Sequence, residues 1–291
     1  MGTESIEASF LSIFALISFF IFLIISKFSH KFRNGALLDE DFLKPQAFHE
    51  IPVTRSGGIA VIISFSIFLV IYYLLYKKIL YDYIFISYSV FLVGFLDDLR
   101  ININPFKRLI IMMLLLFIFI NFLPIKILNI DIPLLTSLMS NHIFSSIFVL
   151  LCFLFVINGA NLIDGFNGLL TINLIIINII LTYININNDN LEFSILIISQ
   201  IIILFSFLLF NFPNAKIFFG DSGAYTMGAL TSLNIIITNN LNPLISSFFF
   251  CTLLFYLFFE VFFSFFRKLY QKKSPIYPDN KHLHMLSFYK I

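Results

Sequence analysis

The chain has 291 residues, of which 59% are hydrophobic and only 12% charged, and its mean hydropathy is +0.97. These values lie outside the range of soluble globular proteins and predict a membrane protein. The net charge of +2 says little until the charges are placed along the chain. The two cysteines, Cys152 and Cys251, lie in apolar segments without the spacing of a metal or redox motif.

Long apolar runs predict nine membrane-spanning helices, since lipid leaves the backbone no hydrogen-bond partner outside its own segment. The alternating polarity of a β-barrel is missing from the sequence. The fold class is therefore all-α, a polytopic integral membrane protein with one domain over residues 1–291 and no internal repeat. The first span lacks a cleavage site and is interpreted as an uncleaved anchor. The nine spans lie near residues 10–28, 57–76, 81–96, 108–124, 143–158, 169–186, 192–212, 222–239 and 243–266.

The distribution of Lys and Arg predicts the orientation. With the N-terminus outside, only Lys77, Lys78 and Lys126 of the 18 basic residues fall in outside loops. That asymmetry is what the positive-inside rule requires. It places the acidic motifs described below together at the cytoplasmic face, where ionisable groups held at a membrane boundary indicate function.

The third span ends in FLDDLR, which contains the adjacent carboxylates Asp97 and Asp98. Adjacent acids repel each other, and a Mg²⁺ ion or nearby cations such as Arg100, Lys107 and Arg108 would relieve the repulsion. A solvated helix end explains an isolated pair equally well.

The fifth span ends in NGANLIDGFNGL, residues 158–169. Asn158, Asn161 and Asp164 recur every three residues, so they share one face of a helical turn and can hydrogen-bond a base or a sugar. A turn with a cap explains Asp164 and Gly165, but not the preceding pair of Asn residues.

The eighth span begins in KIFFGDSGAYTMGAL, where Gly220 to Gly223 open a helix. Free N–H groups at a helix N-terminus suit a phosphate, and the Asp221 carboxylate can hold Mg²⁺ against it. A simple N-cap role for Asp221 is the alternative.

Basic and histidine-rich segments flank these spans. Arg55 precedes the Gly57–Gly58 helix entry, and the tail SPIYPDNKHLHM carries His282 and His284 two residues apart. In an extended segment both rings would point the same way, as phosphate contact or proton transfer requires. Glu260, inside the ninth span, is left unassigned.

These motifs together resemble a known family. FLDDLR, NGANLIDGFNGL, FFGDSGAYTMGAL and PDNKHLHM occur in the order and on the membrane face seen in the polyprenyl-phosphate N-acetylhexosamine-1-phosphate transferases of glycosyltransferase family 4. That group includes the enzymes that initiate O-antigen and enterobacterial common antigen and, more distantly, the phospho-N-acetylmuramoyl-pentapeptide transferase. The resemblance covers residues 30–286, and the HLHM and DGFNGL segments are closer to the O-antigen type.

The resemblance implies a Mg²⁺-dependent transferase, with Mn²⁺ as an alternative ion, in the bacterial inner membrane. Polyprenyl phosphate, such as undecaprenyl phosphate, would attack the sugar phosphate of a UDP-N-acetylhexosamine. The products would be UMP and a lipid-linked diphosphosugar. Membrane lipids are the other expected partners, no nucleic acid is expected, and a homodimer is left open.

The resemblance also implies roles for individual residues. Asp221 would bind Mg²⁺, Asp97 would deprotonate or orient the lipid phosphate, and Asp98 would assist at the metal or the diphosphate. Substrate-binding roles fall on a larger set, in which Asn161 and Asp164 hold the uridine and Phe218 stacks near the base. Arg108, His282 and His284 would contact phosphates or the sugar. The substrate-binding set is Asn158, Asn161, Asp164, Phe218, Arg55, Arg108, His282 and His284.

Three departures from the family pattern stand out. Asn167 occupies a position where relatives often have an acid, and Met285 replaces the third His of the tail motif. The sequence also ends at Ile291, where relatives usually continue, so we expect the family's last spans to be missing. An inactive relative and an ion-coupled transporter remain the alternatives, although a transporter would favour acids near the membrane centre and a repeat.

Overall fold

The computed structural model describes residues 3–31, 37–39, 52–101, 103–128, 130–274 and 281–290. These ranges are predominantly helical, as an all-α fold requires, with connecting loops and one small sheet. Strands β1 (Leu38–Asp39) and β2 (Val53–Thr54) pair antiparallel, with Leu38 opposite Thr54. The helices are α1 (Thr3–Phe28), α2 (Gly57–Tyr76), α3 (Tyr81–Asp98), α4 (Pro105–Phe122), α5 (Pro133–Met139), α6 (His142–Ile163), α7 (Leu169–Asn187), α8 (Leu191–Asn211), α9 (Gly220–Leu241), α10 (Ser247–Leu253), α11 (Phe255–Tyr270) and α12 (Leu283–Lys290).

Most of the predicted spans reappear as apolar helices. In the described ranges six helices are long and apolar enough to cross a membrane, namely α1, α2, α4, α6, α7 and α8. The predicted span 243–266 is not one straight helix, because α10 and α11 meet at a 69° bend and pass the test only as a pair. A polytopic membrane protein is thereby supported, while the count of nine crossings and the orientation stay predictions.

The other two predicted spans coincide with α3 and α9, which are more polar. Three acidic residues reduce the apolarity of α3, and α9 is rich in Ser, Thr, Asn and Gly. Every residue of α9 from Ser222 to Ile236 is buried, since the helix packs against α2, α3, α6 and α7. The polarity of α9 is therefore explained by neighbouring helices, whose small side chains and hydrogen bonds replace lipid contacts.

A buried network of amides joins α9 to its neighbours. The Tyr83 hydroxyl donates to Asn234 Oδ1 over 2.7 Å, and Asn234 Nδ2 donates to Asn178 Oδ1 at 3.0 Å and Gln200 Oε1 at 2.8 Å. All four side chains are buried, and they come from α3, α7, α8 and α9. Polar groups away from water must pair, so this network fixes how the four helices align along their axes.

One end of the bundle gathers the chain segments that carry the predicted motifs. The end of α3 and the start of α9 meet there, and the loop before α9 joins β2 through a hydrogen bond from Phe218 N to Thr54 O of 2.8 Å. The opposite end holds an ion pair of 2.6 Å between Lys78 and Glu192. The helical frame therefore separates the acidic motifs from the other end of the molecule.

Candidate active site

The two adjacent carboxylates of FLDDLR have different partners. Asp97 forms an ion pair of 2.8 Å with Arg108 Nη1 of α4. Asp98 points to the start of α9, where Oδ1 accepts from Asp221 N at 2.9 Å and Oδ2 accepts from Ser222 N at 3.0 Å and Ser222 Oγ at 2.5 Å. Consecutive helix residues project about 100° apart, so two neighbours in sequence serve different elements.

Asp98 therefore caps α9 from another helix. Its side chain is 1% exposed, and Gly220, at φ 74°, leaves room for it, since a Cβ there would lie 2.6 Å from Asp98 Oδ2. The expectation that the α9 N-terminus offers its free N–H groups to a phosphate is wrong for Asp221 and Ser222, whose N–H groups already bind Asp98. The simple N-cap role for Asp221 is also wrong, because that residue lies within the first turn.

Asp221 instead directs its carboxylate towards side chains from three helices. Oδ2 accepts from Arg108 Nη1 at 2.6 Å and from the Tyr225 hydroxyl at 3.3 Å, and Oδ1 accepts from Asn161 Nδ2 at 3.1 Å. Arg108 bridges Asp221 and Asp97, and its guanidinium lies 5.5 Å from the centre of the Tyr225 ring. The structure thus joins residues from α3, α4, α6 and α9 in one polar cluster.

The polar residues at the end of α6 have different surroundings. Asn158 Nδ2 donates to Leu154 O of its own helix at 2.7 Å, so a substrate contact by Asn158 stays a prediction. Asp164 follows the last residue of α6, and within the described ranges no hydrogen bond or ion pair to its carboxylate is found. Burial raises the pKa of Asp164 well above its ordinary value, the carboxylates of Asp221 and Asp98 raise it further, and the attraction of Arg55 only partly opposes them. A cation beside Asp164 would relieve that cost.

Arg55 enters the site from the β2 loop. Its Nε and Nη2 atoms donate to Asp39 Oδ2 at 3.0 and 2.7 Å, which ties β1 to the loop before α2. The nearby carboxylates of Asp39, Asp221 and Asp98 raise the pKa of Arg55 against the effect of burial. Arg55 therefore stays cationic beside the acidic cluster.

Phe218 contributes backbone groups to the same loop. Its carbonyl accepts from Gly57 N at 2.9 Å, and the ring of the following residue, Phe219, stacks on Phe207 with centroids 4.3 Å apart. Phe219 is the core residue of this pair, whereas Phe218 is only half-buried. Stacking of Phe218 on a base stays a prediction.

The tail histidines pack on α11 and not on Asp221. His282 Nδ1 lies 3.1 Å from Glu260 Oε2, and His284 Nδ1 lies 3.5 Å from Glu260 Oε1. The expectation of an extended segment is wrong for His284, because α12 begins at Leu283. The two rings do face the same way, with planes 10° apart and centroids 5.7 Å apart.

The donor set fits a magnesium ion that is shared with a substrate. Among the described residues no three His, Cys, Asp or Glu side chains are grouped closely enough to hold a metal. Mg²⁺ usually binds one or two carboxylates together with water and substrate phosphates. Asp221 offers a half-buried carboxylate, and Asp164 offers one for which the described residues provide no hydrogen bond or ion pair, although Arg55 attracts it. Asp98 is almost fully buried and binds two N–H groups at the start of α9, so a metal role for it stays a prediction.

Sequence comparison decides the family. Residues 80–239 match glycosyl transferase family 4, which covers more than half of the chain. The chain belongs to glycosyl transferase family 4. It is also 28% identical over 280 residues to the undecaprenyl-phosphate alpha-N-acetylglucosaminyl 1-phosphate transferase of Thermotoga maritima. That match spans 95% of this chain and 80% of the relative. The family indicated by the motifs is confirmed.

Several residues of this family 4 site were missed by sequence reasoning. Tyr225 follows Asp221 by four residues, and that helical spacing could have placed it on the same face. Asp39 and Ser222 gave no signal, because their partners, Arg55 and Asp98, are distant in sequence. Glu260 was noticed, but its partners were not.

Proposed function

We propose that this protein transfers an N-acetylhexosamine-1-phosphate from a UDP-sugar to polyprenyl phosphate, which initiates O-antigen or another cell-surface polysaccharide. The observation that carries the proposal is the cluster of Asp97, Arg108, Asn161 and Asp221 at one end of a membrane-embedded bundle in a family 4 chain. The name of the Thermotoga maritima relative supports the lipid acceptor and the sugar phosphate.

In the proposed reaction a phosphate oxygen of the lipid attacks the phosphorus that bears the sugar. A new phosphorus–oxygen bond forms, the bond to the uridylyl phosphate breaks, and UMP leaves with the bonding electron pair. Such a transfer needs alignment and charge neutralisation more than covalent help from the protein. The chain supplies cations, carboxylates and amides in fixed positions for that purpose.

Arg108 is the residue best placed to neutralise substrate charge. It is held between Asp97 and Asp221, with its guanidinium carbon over the Tyr225 ring, so this cation is already oriented before a phosphate arrives. Preorganised charges cost no rearrangement at the moment of reaction. Asp97 is the more exposed member of its ion pair with Arg108, with 29% of its side chain accessible. It would therefore orient the lipid phosphate from the accessible side of that ion pair.

The nucleotide is proposed to bind along the end of α6. Asn161 already contacts Asp221, and Asp164 lies one helical turn further along the chain. When bound, Mg²⁺ would neutralise the negative charge of the diphosphate, and Asp221 with Asp164 are the residues proposed to hold it. Mn²⁺ prefers similar ligands and is the proposed alternative.

The proposed activity is tested by purified protein in lipid nanodiscs that contain undecaprenyl phosphate. A panel of UDP-N-acetylhexosamines is added with Mg²⁺, and UMP release and the lipid product are measured. The Asp221→Asn variant is expected to lose about 100-fold or more in rate, because it removes a charge from the centre of the cluster. Chelation with EDTA should stop the reaction, and Mg²⁺ or Mn²⁺ should restore it.

Asp189→Asn is the matched control. Asp189 lies in an exposed turn between α7 and α8 with φ 59°, a conformation that Asn adopts as readily as Asp. This variant should keep the wild-type rate. If no UDP-sugar supports UMP release by folded protein, or if Asp221→Asn keeps the full rate, the proposed transfer is wrong and an inactive relative is the better description.

The proposed location is the bacterial plasma membrane with the site facing the cytoplasm and the N-terminus outside. The excess of Lys and Arg in the loops at the site end supports this orientation. The orientation is tested with a variant that lacks Cys152 and Cys251 and carries a single new cysteine at residue 104 or at residue 189. Intact cells that contain each variant are treated with a thiol reagent that does not cross the membrane. Only the cysteine at residue 189 should react with an impermeant reagent, and the opposite result would reverse the topology.

A further inference from the structure

Glu260 of α11 is a buried carboxylate with no role in the site described above. Its exposed fraction is 0%, and it contacts three groups of the C-terminal tail. Oε2 lies 3.1 Å from His282 Nδ1, while Oε1 accepts from Leu283 N at 2.9 Å and lies 3.5 Å from His284 Nδ1. A buried carboxylate is costly unless it is paired, so Glu260 and the start of α12 depend on each other.

The contacts of Glu260 determine how the tail histidines are turned. Each ring presents Nδ1 to the carboxylate, and the Tyr256 hydroxyl also lies 3.4 Å from His284 Nδ1. Each Nε2 atom therefore lies on the side away from Glu260. His284 Nε2 is buried, and no hydrogen-bond partner for it is found in the described part of the chain. A buried ring nitrogen without a partner requires an explanation, because such an atom normally binds a polar group.

That nitrogen faces the loop that follows α6. A Cβ atom added to Gly165 would lie 2.9 Å from His284 Nε2, and the Phe166 ring meets the His284 ring edge to face with centroids 5.3 Å apart. Gly165 follows Asp164 directly, and Asn161 at the start of the same turn contacts Asp221. His284 Nε2 therefore lies against the loop that extends the acidic cluster.

We propose that Glu260 is a positioning residue that holds the Nδ1 proton of His284 and so presents Nε2 to a phosphate oxygen of the bound substrate. This inference rests on the proposed transfer. A carboxylate at one ring nitrogen selects the tautomer and the ring orientation, which decides what the other nitrogen can do. Nε2 is then unprotonated in the free enzyme; when the phosphate binds, Nε2 takes up a proton from solvent and donates it in a hydrogen bond to the phosphate oxygen, while Glu260 balances the charge of the ring.

Glu260→Gln separates this role from simple anchoring of the tail. Gln has the same size, its carbonyl can still accept from Leu283 N, and its amide can donate to the histidine. The tail therefore stays docked, but the ring proton moves from Nδ1 to Nε2 and the balancing charge is lost. We expect kcat to fall about 10- to 100-fold with the KM for the UDP-sugar changed less than about twofold.

The matched control is Glu192→Gln, the same change at the opposite end of the bundle, where Glu192 pairs with Lys78. This variant should keep the wild-type kcat. Nitrogen NMR of protein labelled with ¹⁵N-histidine provides a readout that a structural anchor would not change. It should show a protonated Nδ1 on His284 in wild type and a protonated Nε2 in Glu260→Gln, with the signal assigned from His284→Gln.

Gly165→Ala provides a second approach that leaves Glu260 intact. The three atoms nearest to the added methyl group belong to the side chains of His284 and Met285, so the change displaces the ring before it displaces the backbone. Its kcat should fall without a loss of thermal stability. In a double-mutant cycle, Glu260→Gln should add nothing to a chain that already carries His284→Gln.

The inference is overturned if Glu260→Gln keeps the wild-type kcat, if the protonated nitrogen does not change, or if the effects of Glu260→Gln and His284→Gln add. Should Glu260→Gln fail to fold, a cycle of Gly165→Ala with His284→Gln replaces it, and additive effects on kcat again overturn the inference. Failure of wild type to release UMP refutes the proposed transfer instead. In that case the NMR comparison still decides whether Glu260 fixes the His284 proton.

Discussion

Asp98→Asn tests whether this carboxylate holds α9 in place or acts on the substrate. Asp98 is buried and accepts three hydrogen bonds, one on Oδ1 and two on Oδ2. In Asn an amide group replaces one of these oxygens and faces an N–H donor, so at least one buried donor at the start of α9 loses its partner. Such a loss costs about 1–3 kcal/mol, and a lost N-cap costs a similar amount.

We therefore expect Asp98→Asn to lower the free energy of unfolding by about 2 kcal/mol. For a chain of this size that corresponds to a fall in Tm of about 5 °C. Circular dichroism during heating in detergent measures the change, and UMP release at low temperature, where the variant stays folded, measures the activity. Ser222→Ala removes only the hydroxyl bond of 2.5 Å to Asp98 and should lower stability by about 1 kcal/mol.

A loss of activity without a loss of stability would contradict the capping role of Asp98. If Asp98→Asn keeps the wild-type Tm but abolishes UMP release, Asp98 contacts the substrate or the metal and is not a cap. Asp221→Asn is expected to show that pattern, because the Asp221 carboxylate faces other side chains of the cluster and not the backbone of a helix. The two variants thus distinguish a structural from a chemical role within the same site.

Two further predictions concern the cluster and the core. Arg108→Gln removes the cation that bridges Asp97 and Asp221. The kcat/KM measured from steady-state UMP release should therefore fall about 100-fold. An unchanged kcat/KM would exclude a role of Arg108 in charge neutralisation. Asn234→Leu leaves the Tyr83, Asn178 and Gln200 side chains without the partner that they share. The free energy of unfolding should fall by about 1–3 kcal/mol, while the KM for the UDP-sugar stays the same. A variant as stable as wild type would show that the buried amides do not hold the helices together.

The sequence located the helices well where composition alone decides them. The predicted spans 57–76 and 192–212 agree with α2 and α8 to within one residue at each end. A long apolar segment in lipid forms a helix because its backbone must satisfy its hydrogen bonds within the segment. The run 243–266 was predicted as one span and is bent by 69° at Leu254 instead. Hydropathy gives the length of an apolar segment, but not the direction of its axis.

The site was predicted in part for a similar reason. Order along the chain and the alternation of spans placed Asp97, Asn161 and Asp221 at one end of the bundle, and the structure joins all three through Asp221 and Arg108. Individual roles were harder to predict. The sequence does not distinguish Asp97 from Asp98, which are adjacent carboxylates. In the structure Asp97 binds Arg108, whereas Asp98 caps α9.

The sequence by itself determined the membrane class, most helix positions and the end of the molecule at which the motifs meet, since each of these follows from local composition and spacing. The family followed from the resemblance of its motifs. Only the tertiary structure decided which partner each charged side chain takes, as in Asp39 with Arg55 and Glu260 with His282 and His284. These partners lie 16 to 24 residues apart in sequence; the pairing of β1 with β2 brings Asp39 to Arg55, and packing of the tail on α11 brings both histidines to Glu260. A buried charge must find a partner in space, and the distance along the chain does not reveal it.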